Sequence, residues 1–349
     1  MKLAFPWFGE KDTVCLKHVG YMRGARGVAS ALHSVPDGEL WPEEELLRMK
    51  KTIEDAGLAF EVAENLPVHE DIKLRRGDFA RYIDNYKENI AGLARAGIKY
   101  ICYNFTPMFS HSRALLAREL LESLRDSIEA CGSEAQWRVA GARQETVDSP
   151  FKPEETIAMT DAYIDLGKEG LWTNLELFVN EIIPTASRYG VNMAMLPDDP
   201  ARGIKGVPLA VATEDDVDRF LALSGENCHG LTMSSGGLCG EISRYERLIH
   251  KYVAMGRVHF AYLRDMKIRD DGSLAENAHC SPYDSLGMAR ILDAYNESGY
   301  EGWARFDHSR MVCVGQDCGL YDRFVGTMYI TSVMLRLNQR IQMLASAGK

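Results

Sequence analysis

No two cysteines of this chain form a CxxC pair, and its eight cysteines are scattered. That distribution argues against a disulfide framework and reads as reduced thiols in a cytoplasmic protein. No apolar run reaches the roughly 18 residues that a membrane-spanning helix needs. The opening MKLAFPWFGEKD is too short and too soon charged for a secretory signal. Lys/Arg-rich runs are missing too, and the formal net charge of −10 speaks against a nucleic-acid partner. Low-complexity segments and Pro- or Ser-rich linkers are lacking, so nothing marks a domain boundary. The chain reads as one domain over residues 1–349. No GxGxxG follows an early strand, which removes the main support for a dinucleotide site on a doubly wound sheet.

What is present is material for a large core: 349 residues, 46% hydrophobic and 26% charged. Short apolar runs alternate with helical patterns throughout. The strand-like runs are Lys2–Phe5, Gly27–Leu32, Leu58–Ala63, Ile98–Phe105, Val191–Leu196, Gly230–Met233, Val258–Leu263 and the stretch Gly302–Arg310. Between them, Pro42–Ala56 reads as a helix, with three glutamates in its first turn and Gly57 as its stop. Phe79–Ala96 is a second, with Phe79, Tyr82, Ile83, Tyr86, Ile90 and Leu93 on one face. Further helices are expected near 173–188, 214–223, 241–255 and 283–297. Residues from about 110 to 170 look helical without a strand, as an insertion after the fourth strand. Eight βα repeats argue for a single (β/α)8 barrel of the α/β class.

The chain is organised around Gly302–Arg310, GWARFDHSR, an apolar run that ends in Asp307, His308 and Arg310. Earlier strands end likewise: Glu64 and Asn65 after the third, Asn104 near the end of the fourth, PDDP after the fifth, and Arg264 with Asp265 after the seventh. In a barrel such residues gather at one mouth, where active sites form.

WFGEKDTVCL, ALHSVPDGELW, PVHEDIK at 67–73, NYKENI at 85–90, YNFTPMF at 103–109, IIPTASRYGVNMA, PDDP, GLTM, FDHSR and GLYDR together carry a resemblance nearly end to end. In their order and spacing the chain resembles the mannonate dehydratases, metal-dependent sugar-acid lyases on a xylose-isomerase-like barrel. The resemblance implies removal of water from D-mannonate to give 2-keto-3-deoxy-D-gluconate. It also implies a divalent cation, usually Mn²⁺, to stabilise the enediolate that forms when the proton α to the carboxylate leaves.

The chain departs from that family at the expected metal ligands. The His before PDDP reads Leu196, the Cys after the GLT strand reads Ser234, and a second His in strand seven reads Tyr262. Only the carboxylate Asp307 remains. Leucine cannot coordinate, serine is a weak neutral donor, and tyrosine binds divalent ions well only when ionised. Divalent metal is therefore expected to bind weakly or not at all. The family's catalytic His matches His308, while the Tyr of a Gly-Tyr-Gly pattern is replaced by Cys318. The substrate loop reads FSHSRA in place of an Asp-Trp-Thr-Arg-Thr sequence. It keeps Arg113 and adds Ser110 and His111.

Each candidate has a second reading. Asp307 and His308 are the catalytic pair or a polar strand cap. Arg113, Arg264 and Arg310 grip a substrate carboxylate through paired hydrogen bonds, although Arg264 and Arg310 serve equally as ion-pair partners of Glu64, Asp198 or Asp265. Glu64 and Asn104 bind sugar hydroxyls or cap loop amides. Asp198 and Asp199, between two prolines, most simply shape a turn. His229 falls at the amino-terminal end of its strand and His259 inside the core, so neither is expected to be a ligand. The functions left open are a mannonate dehydratase-type hydro-lyase on D-mannonate or a related hexonate, a metal-independent epimerase or isomerase, and a non-catalytic sugar-acid-binding protein. The expected assembly is a homodimer with no membrane partner.

Overall fold

Every apolar run named above becomes a strand. A computed structural model of the chain describes residues 1–10, 12, 14–22, 24–108, 153–199, 206–235, 238, 242–264, 266–268, 274–276, 285–307 and 318–347. The barrel strands are β1 (Lys2–Pro6), β2 (Ala25–Ser30), β3 (Ala59–Glu64), β4 (Tyr100–Asn104), β5 (Asn192–Leu196), β6 (His229–Ser234), β7 (Val258–Leu263) and β10 (Trp303–Phe306). All neighbours pair in parallel, and β10 returns to β1 to close the barrel. The short strands β8 (Met266–Ile268) and β9 (Leu274–Glu276) form a separate antiparallel pair.

Strands buried on both faces explain why these runs are apolar almost without interruption. Alternate residues divide between two cores. Ala4, Ala29, Val62, Cys102, Ala194, Phe260 and Trp303 form one cluster, which the two-residue period of a strand assigns to the barrel interior. Their neighbours Phe5, Val28, Ala63, Ile101, Met193, Ala261 and Ala304 belong to the outer core beneath the helices. Small residues on β1, β2 and β5 face large ones on β7 and β10, so Phe260 and Trp303 fill much of the interior.

The helices follow their sequence signals. α1 (Leu16–Gly20) is a single turn after β1. α2 (Glu43–Asp55) starts after Pro42, buries Leu46, Met49 and Ile53, and is followed by Gly57 at φ +77°. PVHEDIK contains a further short helix, α3 (Glu70–Leu74), whose first turn is capped by His69 Nδ1 accepting from the Asp71 N–H. α4 (Phe79–Arg95) buries Ile83, Tyr86, Ile90 and Leu93. α5 (Pro153–Tyr189) is longer than the helix expected near 173–188, with a break at Gly167. Of the expected insertion, residues 153–170 belong to α5, and 109–152 lie outside the described residues. α6 (Glu214–Leu221) opens with a capping box between Thr213 and Asp216. α7 (Ile242–Ala254), α8 (Ser285–Glu297) and α9 (Cys318–Ala347) complete the outer layer.

His229 opens β6, at the amino-terminal end, and is fully buried with Nε2 2.8 Å from the Phe220 carbonyl oxygen. His259 is buried within β7. Burial holds both imidazoles neutral, with pKa values lowered to about 4.

Candidate active site

The strand period that lines the interior also selects what stands at its carboxyl end. Above Phe260 the next interior positions are Tyr262 and Arg264; above Trp303 they are Arg305 and Asp307. By the same count Val62 leads to Glu64, Cys102 to Asn104, and Ala194 to Leu196. Apolar filling thus gives way to charge within two residues on β3, β7 and β10.

These charges form one connected chain. Arg305 donates Nε to Glu64 Oε2 at 2.6 Å and Nη2 to Glu64 Oε1 at 2.5 Å. Its Nη1 donates to Asp307 Oδ1 at 3.1 Å and to the Phe306 carbonyl at 2.7 Å. Asp307 Oδ2 accepts from Arg264 Nε at 3.0 Å, with Arg264 Nη2 2.8 Å away. Arg264 Nη1 reaches Asp199 Oδ2 at 3.2 Å, and Ser234 Oγ donates to the same oxygen at 3.5 Å. The Arg264 backbone is clamped by Ser235, whose Oγ accepts from its N–H at 2.8 Å and donates to its carbonyl at 2.7 Å. Tyr262 closes the other end, donating to Glu64 Oε1 at 2.6 Å, with the Arg305 guanidinium 4.1 Å from its ring centre.

Burial makes these contacts count. The Arg264, Arg305 and Asp307 side chains are each less than a tenth exposed, and desolvated charges are tolerated only when paired. Burial works against the charge on Arg305, yet Glu64, Tyr262 and Asp307 outweigh it and hold the guanidinium firmly protonated. Tyr262 goes the opposite way. Burial, then the negative Glu64, raises its phenol well above the usual value, so it stays a neutral donor.

A second polar group steadies the loops around the mouth. Asp198 Oδ1 accepts from Thr106 Oγ1 at 2.5 Å, and Oδ2 accepts from the Val211 N–H at 2.8 Å. Burial raises its pKa to about 6. Lys73, nearly inaccessible, donates to Glu70 Oε1 at 2.7 Å and to the Thr106 carbonyl at 2.8 Å. Glu70 Oε2 accepts from the Met108 N–H at 3.1 Å and from the Tyr163 hydroxyl. PVHEDIK therefore fixes the path of the chain where it leaves β4.

Of the residues picked out from sequence, Glu64, Arg264 and Asp307 come together in this chain of contacts. Asn104 ends β4, buried and in register with Leu196. Arg113, His308 and Arg310 lie outside the described residues, as do His111 and Asp265. Asp198 holds a turn, as expected, but its neighbour Asp199 joins the charged chain. Sequence reasoning missed Arg305 and gave Asp199 only a turn. The signal for Arg305 was its parity with Asp307 in a strand; for Asp199 it was the place of PDDP at the end of β5.

The divalent cation implied by the resemblance does not fit these residues. Leu196 offers no donor, Tyr262 is a neutral phenol held by Glu64, and Ser234 is a neutral hydroxyl turned to Asp199. Both oxygens of Asp307 already accept from guanidinium groups. Among the described residues no group of three or more His, Cys, Asp or Glu side chains is arranged to hold a metal ion.

Residues 1–344 match the family model of D-mannonate dehydratase (UxuA). Mannonate dehydratase 2 of Halalkalibacterium halodurans is 36% identical over 339 residues, covering 95% of this chain and 98% of the relative. The mannonate dehydratase of Streptococcus uberis is 37% identical over 355 residues, covering 95% and 97%. The crystal structure of mannonate dehydratase from Streptococcus suis serotype 2 superposes with a TM-score of 0.78 at 30% identity, covering 96% and 94%. A D-psicose 3-epimerase from Clostridium cellulolyticum H10 has a TM-score of 0.54 at 12% identity, with 96% and 97% covered, and shares the fold alone.

Proposed function

We propose, on the premise that this chain belongs to the D-mannonate dehydratase family, that it takes a sugar acid at the carboxyl end of its barrel and dehydrates it. The observation that carries this reading is the convergence of Glu64, Asp199, Arg264, Arg305 and Asp307 at one mouth. Dehydration breaks the C2–H bond, whose proton goes to a base, and the C3–O bond, whose hydroxyl takes a proton from an acid and leaves as water. The enol that remains becomes a 2-keto-3-deoxy acid.

His308 follows Asp307 directly in sequence and is the proton carrier in this proposal. Arg113 and Arg310 meet the substrate carboxylate, since Arg264 is engaged by Asp199 and Asp307. Asn104 and the edge of Glu64 face the sugar hydroxyls. The enediolate charge develops on the substrate carboxylate, so in this proposal Arg113 and Arg310 also supply the positive charge that stabilises it. The scattered cysteines suit a reducing, cytoplasmic setting. Among the described residues no helix is long and apolar enough to cross a membrane.

The test incubates purified protein with a panel of aldonates and uronates, with and without Mn²⁺, and follows 2-keto-3-deoxy acid formation. Turnover of D-mannonate or another hexonate supports the reading. Binding without turnover across the panel overturns it. A second reading, a metal-poor homologue that only binds sugar acids or epimerises them, rests on Leu196, Ser234 and Tyr262 at the expected ligand positions.

A further inference from the structure

We infer that the fixed cation of this site is the Arg264 guanidinium, and that Asp307 serves as its anchor and not as a metal ligand. The inference rests on reading the mouth as a sugar-acid pocket, but its test does not require turnover.

Four observations converge. Asp307 is spent on both sides, with Oδ2 on Arg264 and Oδ1 on Arg305. A metal ion bound there would have to share these oxygens with two guanidinium groups in a buried space. Arg264 is itself immobilised. Ser235 clamps its backbone from both sides, and Asp199 and Asp307 hold three of its nitrogens. Tyr262 completes the arrangement instead of disturbing it, because its hydroxyl satisfies Glu64 Oε1, which also pairs with Arg305. Leu196 continues the apolar interior, packing in the same cluster as Ala194 and Tyr262. The three positions without ligand chemistry are thus each used for something else: Tyr262 and Ser234 in the polar network, Leu196 in the apolar packing beneath it.

The formal charges agree. Among the described residues, Glu64, Asp199 and Asp307 contribute −3 and Arg264 and Arg305 +2, a sum of −1. Ser234 adds nothing. A thiolate in its place would have raised the negative charge to −2 and called for a further cation. Serine keeps the excess at a single negative charge.

The experiment measures metal content and Mn²⁺ binding by calorimetry on the full-length protein and on Asp307→Asn. It adds a variant carrying Leu196→His, Ser234→Cys and Tyr262→His together. The wild type is expected to be purified without stoichiometric metal and to bind Mn²⁺ no more tightly than Asp307→Asn does. The triple variant is expected to bind about 100-fold or more tightly than the wild type, as imidazole and thiolate donors are restored. One Mn²⁺ per wild-type chain, at micromolar affinity or tighter and lost in Asp307→Asn, would overturn the inference. If the triple variant does not fold, the comparison of wild type with Asp307→Asn decides alone. Acid binding in the presence of a chelator supports both this inference and the sugar-acid reading. Metal-free protein that binds no acid counts against the sugar-acid reading only, whereas acid binding that requires Mn²⁺ and Asp307 counts against the inference only.

Discussion

Arg305 grips Glu64 through paired hydrogen bonds from Nε and Nη2, joining β10 to β3 across the barrel mouth. The two strands are not neighbours in the sheet, since β1 and β2 lie between them on one side. The pair therefore acts as a brace across the opening. It also fixes Arg305 Nη1 in reach of Asp307, so the brace orients the site carboxylate.

Replacing Arg305 by methionine would leave Glu64 and half of Asp307 as buried, uncompensated carboxylates. Removal of one partner from a buried pair typically costs about 3–5 kcal/mol. Arg305→Met is expected to lower unfolding stability by that order in urea titrations at neutral pH. Adding Glu64→Gln should recover part of the loss, because the unpaired charge is then gone. Equal stability of Arg305→Met and wild type would show that the brace has no energetic role.

Asp198 makes a prediction with the opposite sign from a surface carboxylate. Its pKa rises from 3.8 to about 6 through burial, so the folded state holds its proton more tightly than the unfolded chain. Stability from this group is full below about pH 4 and is lost as pH climbs through about 6. A shift of about two units corresponds to roughly 3 kcal/mol. Asp198→Asn can keep both contacts, accepting from the Val211 N–H and donating to Thr106 Oγ, a hydroxyl able to accept. The variant should match or exceed wild-type stability at pH 8 and lag behind it near pH 4. Strong destabilisation at pH 8 would mean the charge is needed.

His229 and His259 act in the reverse sense. Their pKa values fall from 6.5 to about 4, so stability is full above about pH 6.5 and is lost as pH drops towards 4. Each contributes a slope of about 1.4 kcal/mol per pH unit in that window. Two histidines outweigh the single aspartate, so these three groups together make the wild type lose stability on acidification below pH 6. His259→Gln cannot titrate, and its denaturation midpoint should fall less steeply between pH 6.5 and 4.5. An unchanged slope would contradict the buried, neutral assignment.

The barrel was readable because a doubly buried strand has to be an apolar run, and a run of five or six residues between helical patterns has few other interpretations. All the runs from Lys2–Phe5 to Gly302–Arg310 correspond to barrel strands. Site geometry was legible only where parity could be counted from a known end. Glu64, Arg264 and Asp307 terminate strands and stood out as charges after apolar residues. Arg305 sits one residue before the end, within WARF, where a long cation looks like an interruption of a strand and not part of its mouth. Asp199 lies in a Pro-bounded turn, and its encounter with Arg264 depends on how two loops from β5 and β7 meet. Nothing local records that. The length of α5 was underestimated because Gly167 breaks its pattern, and a left-handed glycine inside a helical run reads as a terminus.

Asp307 accepts from two arginines, so it is poorly suited to carry a proton in and out. His308 is the adjacent group with a pKa range suited to that task. Conservative replacement, His308→Gln, is expected to reduce turnover of the best acid on the panel by about 10²–10⁴-fold while leaving its KM within a few-fold. Asp307→Asn should behave differently. It weakens the anchor of Arg264 and Arg305, so KM and thermal stability should move along with kcat. The measurement is steady-state kinetics of both variants beside thermal unfolding. A His308→Gln variant that keeps full kcat would remove His308 from the chemistry and send the search for the base into the loops around Arg113. A variant that loses KM and kcat together, with a lowered Tm, would make His308 a structural cap of β10.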